Sequence, residues 1–166
     1  DILFNNENPY KSEPPEVRLA RLRAHYAACT QCPLGTMGRG KVVFGEGVPK
    51  ARLMLIGEGP GRDEDMQGRP FVGRSGKLLT KMLAELGLTR DKNIFIANTV
   101  RCRPPENRQP TPDESRTCVS LILLREISIV RPALVCTLGA TATNALLDVT
   151  HGISALRGKF IETPFF

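Results

Sequence analysis

The sequence has no long apolar run and no secretion signal. No apolar stretch reaches the roughly 18 residues that a membrane-spanning helix requires. The first ten residues, DILFNNENPY, lack the basic segment and apolar core of a signal peptide. Internal repeats and low-complexity segments are also absent, and 166 residues suit one domain with one core. We therefore expect a single cytoplasmic domain over residues 1–166, with no membrane contact.

Because no secretion signal accompanies them, the five cysteines do not indicate a disulfide framework. They indicate a metal site, redox chemistry or burial. Cys29 and Cys32 form the pair CTQC after a predicted helix, whereas thioredoxin-type pairs follow a strand. Together with Cys102 and Cys118 they could bind zinc or an iron–sulfur cluster, and the spacing does not choose between the two. Cys136 lies in an apolar strand and is predicted to be a core residue.

The formal net charge of +6 favours a polyanionic partner such as nucleic acid, although an ordinary basic surface accounts for it equally well. Six arginines cluster near glycine- and proline-rich loops, which suits contacts with phosphate. These arginines are Arg62, Arg69, Arg74, Arg101, Arg103 and Arg108.

Apolar patterns predict strands that alternate with helices along the chain. The predicted strands cover residues 51–58, 93–100 and 133–139, with a last strand at 158–164. The predicted helices cover residues 12–29, 75–88, 111–130 and 140–148. This alternation indicates the α/β class: a single three-layer αβα domain with a central, mainly parallel sheet. Ligands bind such sheets at the carboxyl ends of strands, so the loops after residues 58 and 100 are candidate sites.

Two glycine-rich segments are similar to nucleotide-binding motifs but depart from them. GRPFVGRSGK, residues 68–77, has the glycine spacing of a phosphate loop, yet Arg74 replaces the lysine and the segment lies about ten residues past the strand. GEGPGR, residues 57–62, follows a strand, but Arg62 occupies the third glycine position. We also expect no helix to begin there, because RDEDMQGRP is polar and broken. Both nucleotide interpretations are therefore disfavoured.

The glycines instead predict a loop that is shaped by its backbone, whose amide groups can approach a ligand closely. Phe71 is the aromatic residue of this loop. It either plugs the core, which is the usual location of phenylalanine, or forms an aromatic floor for a flat ligand.

Five motifs, taken together and in this order, resemble the family 4 uracil-DNA glycosylases, the iron–sulfur branch of that superfamily. They are CTQCPLG, GEGPGRDED, GRPFVGRSGKLL, NTVRCRPPENRQPTPDESRTC and LVCTLGATAT, and the resemblance spans residues 29 to 160. It implies a monomeric DNA repair enzyme that flips uracil out of DNA and hydrolyses its N-glycosidic bond, which leaves an abasic site and starts base excision repair. It also implies a [4Fe-4S] cluster, with zinc as the alternative. The implied metal ligands are Cys29, Cys32, Cys102 and Cys118.

The resemblance assigns site roles to individual positions. Glu58 and Gly59 match the motif that approaches the deoxyribose and the base, and with Asn98 they are implied as catalytic. Phe71 matches the aromatic residue that stacks on flipped uracil, and Asn98 matches the asparagine that reads the uracil edge. The implied substrate-binding set is Phe71, Asn98, Gly59, Gly61 and Asp65. The carboxylate that stabilises the sugar cation or orients water is expected to be Glu58, Asp63, Glu64 or Asp65.

The chain departs from the family at its second motif, a histidine near the C-terminus that usually precedes proline. The dipeptide HP does not occur in the sequence. The chain ends at TPFF, about where the missing strand and motif would begin, so we expect either a truncated sequence or a protein without that histidine. His151 either substitutes for it or is a surface or helix-capping residue. His25 lies in the predicted N-terminal helix.

Two other interpretations stay open from the sequence. The first is a DNA-binding iron–sulfur protein of the same fold without glycosylase activity, which the absent histidine motif favours. The second is a zinc-stapled nucleotide-binding enzyme.

Overall fold

A four-stranded sheet forms the centre of the molecule. The computed structural model describes residues 11–147 and 152–162. The strands along the chain are β1 (Glu46–Gly47), β2 (Leu53–Gly57), β3 (Ile94–Asn98) and β4 (Leu134–Thr137), and their order in the sheet is β1-β3-β2-β4. β2 pairs in parallel with β3 and β4, whereas the short β1 pairs antiparallel with β3. The predicted α/β class with a mainly parallel sheet is confirmed.

Helices connect the strands in the alternation that the sequence predicts. Within the described residues the α-helices are α1 (Pro15–Tyr26), α2 (Arg62–Gln67), α3 (Arg74–Glu85), α4 (Pro112–Cys118), α5 (Leu124–Val130), α6 (Ala140–Leu147) and α7 (Ile153–Leu156). A π-helical turn, Val119–Leu123, joins α4 to α5. Short 3-10 turns occur at Pro33–Gly35 and Pro105–Asn107.

Alternating strand residues pack against helices on opposite faces of the sheet. Met54 and Phe95 belong to the larger core cluster, which also contains buried residues of α1 and α5. Leu55 and Ile96 belong to a second cluster that is covered by α3. Because burial of one such side chain contributes about 1.5–3 kcal/mol, both faces stabilise the sheet.

The structure places a helix where the sequence analysis expected none, and that expectation was wrong. α2 begins at Arg62 because Glu64 accepts a hydrogen bond from the Gly61 amide at 3.1 Å, and acidic residues occupy the first turn. The helix ends at Gly68, which adopts a left-handed conformation with φ of 74°. A short polar helix of this kind depends on its caps rather than on an apolar face.

The helix predicted to start at Thr111 is confirmed with its cap. The Thr111 hydroxyl accepts from the Glu114 amide at 3.2 Å, and the Glu114 carboxylate accepts from the Thr111 amide at 2.8 Å. This reciprocal pair satisfies amides that the first helical turn leaves without partners. The helix therefore starts at a fixed residue, with Cys118 at its far end.

Two strand predictions need correction. Cys136 was expected to be a core residue of an apolar strand, but Leu134 of β4 is 43% exposed and the other β4 residues, Cys136 included, are half-buried. Residues 158–162 of the expected last strand form no strand, and residues 163–164 lie outside the described residues. In residues 158–162 the apolar side chains Phe160 and Ile161 are exposed, so no packing favours an extended ladder there.

No helix in residues 11–147 or 152–162 combines the length and apolar character needed to cross a membrane.

Candidate active site

The carboxyl ends of β2 and β3 bring together an aromatic ring and an amide. Gly57, the last residue of β2, pairs with Asn98, the last residue of β3. A Cβ atom added at Gly57 would lie 2.4 Å from Cζ of Phe71 and 2.8 Å from Oδ1 of Asn98. The Phe71 ring and the Asn98 amide therefore meet over a glycine that no larger residue could replace without displacing one of them.

Asn98 is only 2% exposed. Within the part of the chain that the structure describes, its side-chain amide has no hydrogen-bond partner. Its amide atoms are not among the fully buried unpaired polar atoms, so the amide stays open to a ligand at the strand end. The Asn98 backbone carbonyl is held, since it accepts from Nη1 of Arg101 at 2.7 Å.

Phe71 lies in a tight turn with an unusual backbone conformation. Its φ is 54°, in the left-handed region that residues other than glycine rarely adopt. A Cβ atom added at Gly76 would lie 2.1 Å from the Phe71 carbonyl carbon, so glycine is required there. Arg90 donates hydrogen bonds to the carbonyls of Pro70 and Phe71. These contacts fix the ring in place.

Glu64 fixes the other side of the same turn. Its Oε1 accepts from the amides of Val72 at 2.9 Å and Gly73 at 2.7 Å, while its Oε2 accepts from the Gly61 amide. All three amides belong to the glycine-rich loop and are already occupied. Glu64 therefore shapes the loop, and these three amides do not face a ligand as free donors.

An ion-pair cluster ties the Phe71 turn to β1. Glu46 accepts two hydrogen bonds from Arg69, at 2.6 and 2.8 Å, and lies 3.7 Å from Arg90. The hydrogen bonds from Arg69 lower the pKa of the Glu46 carboxyl. Burial lowers the pKa of the Arg90 guanidinium. The Arg69 guanidinium is thus paired with a carboxylate of the protein.

Glu58 directly follows β2 and is exposed, but its carboxylate is oriented. Its Oε2 accepts from the Thr141 hydroxyl, which in turn accepts from Nε2 of Gln109 at 2.8 Å. Thr141 lies in α6, and Gln109 lies in the loop between Cys102 and Cys118. The motif LGATAT was noted in the sequence, yet nothing in its pattern indicated that Thr141 contacts Glu58.

The other predicted site residues of this loop lie beside Glu58 with different contacts. A Cβ atom at Gly59 would lie 2.8 Å from Cγ2 of Val100, so Gly59 allows the two strand ends to approach. Gly61 caps α2. Asp65 is buried and accepts from the amides of Gly40 and Lys41, at 2.9 to 3.2 Å. Substrate contact by Gly61 and Asp65 stays a prediction, since both hold the loop.

Four of the five cysteines line one cavity, which is separate from the strand ends. They are Cys29, Cys32, Cys102 and Cys118. Burial raises the pKa of the Cys102 thiol to about 11 and that of the Cys118 thiol to about 12. Arg101 also lines this cavity. Cys136 lies elsewhere, packed against the cluster that α3 covers.

The arginines predicted to contact phosphate differ in their availability. Arg62 and Arg74 are exposed at the starts of α2 and α3. Arg108 forms two hydrogen bonds with Glu114, and Arg103 donates to Asn107. Arg101 is 1% exposed and pairs with Glu126 at 2.6 Å, so its expected role as a phosphate contact was wrong. Its side chain packs inward because Glu126 offers a buried counter-charge.

Neither histidine of the chain is placed in this site by the described residues. His25 is exposed on α1, where its ring lies edge-on to Tyr26 at 4.6 Å. The alternatives for His151 concern a residue that lies outside the described residues.

Comparison with known proteins identifies the family. Residues 44–164 match the family described as the uracil DNA glycosylase superfamily. A type-4 uracil-DNA glycosylase of Thermotoga maritima is 47% identical over 135 residues, or 81% of this chain and 69% of that protein. Those of Sulfurisphaera tokodaii and Saccharolobus solfataricus are 44% and 46% identical, over 85% and 80% of this chain. The chain spans 65% and 62% of those two relatives. The chain belongs to the uracil-DNA glycosylase superfamily, in its type-4 branch.

Proposed function

We propose that this chain removes uracil from DNA by hydrolysing the N-glycosidic bond of a nucleotide that has been flipped out of the stack. The observation that carries this proposal is the meeting of the Phe71 ring and the unpaired Asn98 amide over Gly57. A flat base needs one π-face and one edge of polar groups for recognition, and this pocket supplies both.

The Asn98 amide suits the edge of uracil. Uracil presents O4 as an acceptor and N3–H as a donor, which an amide can pair with its NH₂ and C=O groups. Cytosine presents the opposite arrangement, so the same amide orientation would leave two buried polar groups unpaired. Asn98 is held through its backbone by Arg101, which supports a fixed orientation.

Glu58 suits the sugar side of the reaction. Cleavage places positive charge on the deoxyribose and negative charge on the departing uracil. The Glu58 carboxylate lies at the same strand end as the pocket and is oriented by Thr141, so it would stabilise the sugar cation or orient the attacking water. Asp65 and Glu64 are fully engaged with backbone amides, which leaves Glu58 and Asp63. Glu58 is the stronger candidate because it directly follows β2, whereas Asp63 lies in α2.

For the cysteine cavity we propose a [4Fe-4S] cluster held by the four cysteines that line it. Four thiolates bound to one zinc ion at about 2.3 Å would lie within about 4 Å of one another. No group of His, Cys, Asp or Glu side chains in residues 11–147 and 152–162 is arranged to hold a single ion. Four thiols are the ligand set of a [4Fe-4S] cluster, and the resemblance to the iron–sulfur branch of the superfamily supports the cluster over zinc.

The proposed role of the cluster is structural, because hydrolysis transfers no electron. When bound, it would join the segment that follows α1 to α4 and to the loop 101–108, which carries Arg103 and Arg108. That loop would then present a fixed surface to the DNA backbone. A DNA-binding iron–sulfur protein without glycosylase activity is the second candidate.

An oligonucleotide assay separates these candidates. The chain is incubated with single- and double-stranded oligonucleotides that contain one uracil, and abasic sites are then cleaved with alkali. We expect cleavage at uracil and none in matched oligonucleotides with thymine. Binding without cleavage would favour the second candidate. Absorbance at about 400 nm and the iron content of the same sample test whether the cysteines hold an iron–sulfur cluster. A colourless protein that contains zinc would contradict the proposed cluster.

A further inference from the structure

Arg101 lies between the cysteine cavity and the candidate uracil pocket. Its side chain is 1% exposed, and the residue lines the cavity beside Cys102 and Cys118. On its other side, Nη1 donates to the Asn98 carbonyl at 2.7 Å. The buried side chain therefore contacts the candidate uracil pocket, while the residue itself lines the cysteine cavity.

The remaining contacts fix the guanidinium in one position. Nη2 donates to Oε2 of Glu126 at 2.6 Å, and Oε1 of Glu126 accepts from the Gly45 amide at 2.9 Å. This leaves Nε buried without a hydrogen-bond partner among the described residues. A buried N–H without an acceptor costs free energy, so the position calls for an acceptor that no described residue supplies in this arrangement.

We propose that Arg101 is a positioning residue that couples the cluster to uracil recognition: its Nε–H donates to a sulfur atom in the cysteine cavity, while Nη1 holds the Asn98 carbonyl. The inference rests on the proposed cluster and the proposed uracil pocket. Thiolate and sulfide sulfurs are acceptors, and hydrogen bonds to them stabilise such clusters.

The electrostatics of the cavity agree with this role. Burial raises the pKa of the Cys118 thiol, and the nearby Arg101 charge and backbone amide oppose that rise. The Arg101 backbone amide donates to the Cys118 sulfur, so this residue lies directly against the cavity. Because Glu126 pairs with the same guanidinium, removal of Arg101 would also leave a buried carboxylate unpaired.

The test compares iron release from the cluster-loaded protein in Arg101→Lys, Arg116→Gln and the wild type. Lysine keeps a cation for Glu126 but cannot reproduce the guanidinium fork or Nε–H. Arg116 lies on α4 two residues before Cys118, and its pair with Asp113 is exposed, so it is a matched control. We expect iron transfer to a chelator to be about tenfold faster in Arg101→Lys and unchanged in Arg116→Gln.

A second measurement adds saturating free uracil. Coupling is reciprocal, so uracil bound at Asn98 should slow iron release in the wild type but not in Arg101→Lys. Asn98→Ala keeps the carbonyl that Arg101 holds, and should release iron at the wild-type rate without any response to uracil. Wild-type iron release by a folded Arg101→Lys protein would overturn the proposal. If that variant does not fold, wild-type release that ignores uracil would overturn it instead.

Iron release without uracil does not depend on excision. A protein that lacks glycosylase activity, but in which Arg101→Lys accelerates iron release, would contradict the proposed function and leave the Arg101 contact to the cluster supported.

Discussion

The polar residues of the site fall into two groups. One group makes several hydrogen bonds within the protein, and the other has polar atoms that are available to a ligand. Glu64 and Asp65 accept several backbone hydrogen bonds each, and they give the loop its shape. The Asn98 side-chain amide has no hydrogen-bond partner among the described residues and stays open at the strand end, and the Glu58 carboxylate is oriented by a single hydroxyl. The second group is where recognition and chemistry are expected.

Replacement of Asn98 by alanine tests base recognition. The variant keeps the backbone carbonyl bond to Arg101 but loses both edge contacts to uracil. We expect single-turnover uracil excision to fall by about 10²–10³-fold, with much less change in DNA affinity measured by fluorescence anisotropy. Asn144→Ala is the matched control, because it removes the same amide group from α6 rather than from the strand end. Wild-type excision by Asn98→Ala would contradict the role of this residue.

Replacement of Thr141 tests the orientation of Glu58. Thr141→Val removes the hydroxyl at nearly constant volume, and we expect kcat to fall about tenfold or more with little change in KM. Thr141→Ser keeps the hydroxyl and should restore most of kcat. Equal rates in the valine and serine variants would show that the hydrogen bond does not position Glu58.

The sequence predicts the residues that carry distinctive chemistry, but not their partners. Phe71, Asn98 and the four cysteines could be named because aromatic, amide and thiol groups stand out in a glycine-rich or loop context. The contacts of Thr141, Gln109 and Arg90 join residues 83, 32 and about 20 positions apart, and no local pattern encodes them. Arg101 was misread because a loop arginine looks the same in sequence whether it faces solvent or a buried glutamate.

At the scale of elements, the sequence predicts those helices that have an amphipathic pattern or a recognisable capping residue. α3 and α4 follow from an amphipathic pattern and from the Thr111 cap, respectively. α2 was missed because its sequence is polar and has no apolar face. β1 was missed because a strand of two residues is too short to show the alternation of polar and apolar side chains. The π turn at Val119–Leu123 lies inside one apolar helical pattern, so the sequence pattern does not distinguish it from the α-helices on either side.

The ion-pair cluster between β1 and the Phe71 turn predicts a pH dependence of stability. The pKa of Glu46 is lowered in the folded state from its ordinary 4.5, mainly by hydrogen bonds from Arg69. Its stabilising contribution is therefore complete above about pH 4.5 and is lost as the pH falls through the folded pKa. In urea unfolding between neutral and acidic pH, Glu46→Gln should lose less stability on acidification than the wild type. Glu85→Gln, an exposed carboxylate on α3, should behave like the wild type.

At the scale of the whole molecule, the net charge of +6 and the cysteine cavity are both consistent with DNA as the proposed partner. A basic protein binds DNA with an affinity that falls as salt concentration rises, because phosphate contacts release counterions. The cavity lies beside the loop 101–108, whose Glu106 and Asn107 adopt left-handed conformations. A bound cluster would hold this strained loop in shape.

Loss of one cluster ligand should therefore affect stability and DNA binding together. We expect Cys102→Ala to lose iron, to lower the midpoint of thermal unfolding and to weaken DNA binding, whereas Cys136→Ala should retain iron because Cys136 lies outside the cavity. A folded Cys102→Ala protein that lacks iron and binds DNA normally would contradict the structural role proposed for the cluster.

The most direct test of the uracil pocket is the single-turnover rate of uracil excision in Gly57→Ala, measured beside Gly152→Ala. The added methyl at Gly57 would lie 2.4 Å from the Phe71 ring and 2.8 Å from the Asn98 amide. At Gly152, no atom of the other described residues lies within 4 Å of the equivalent position. We predict a loss of about 10²-fold for Gly57→Ala, the scale of a 1 Å misplacement, and no change for Gly152→Ala. Equal excision rates in both variants and the wild type would contradict a pocket formed by Phe71 and Asn98 over Gly57.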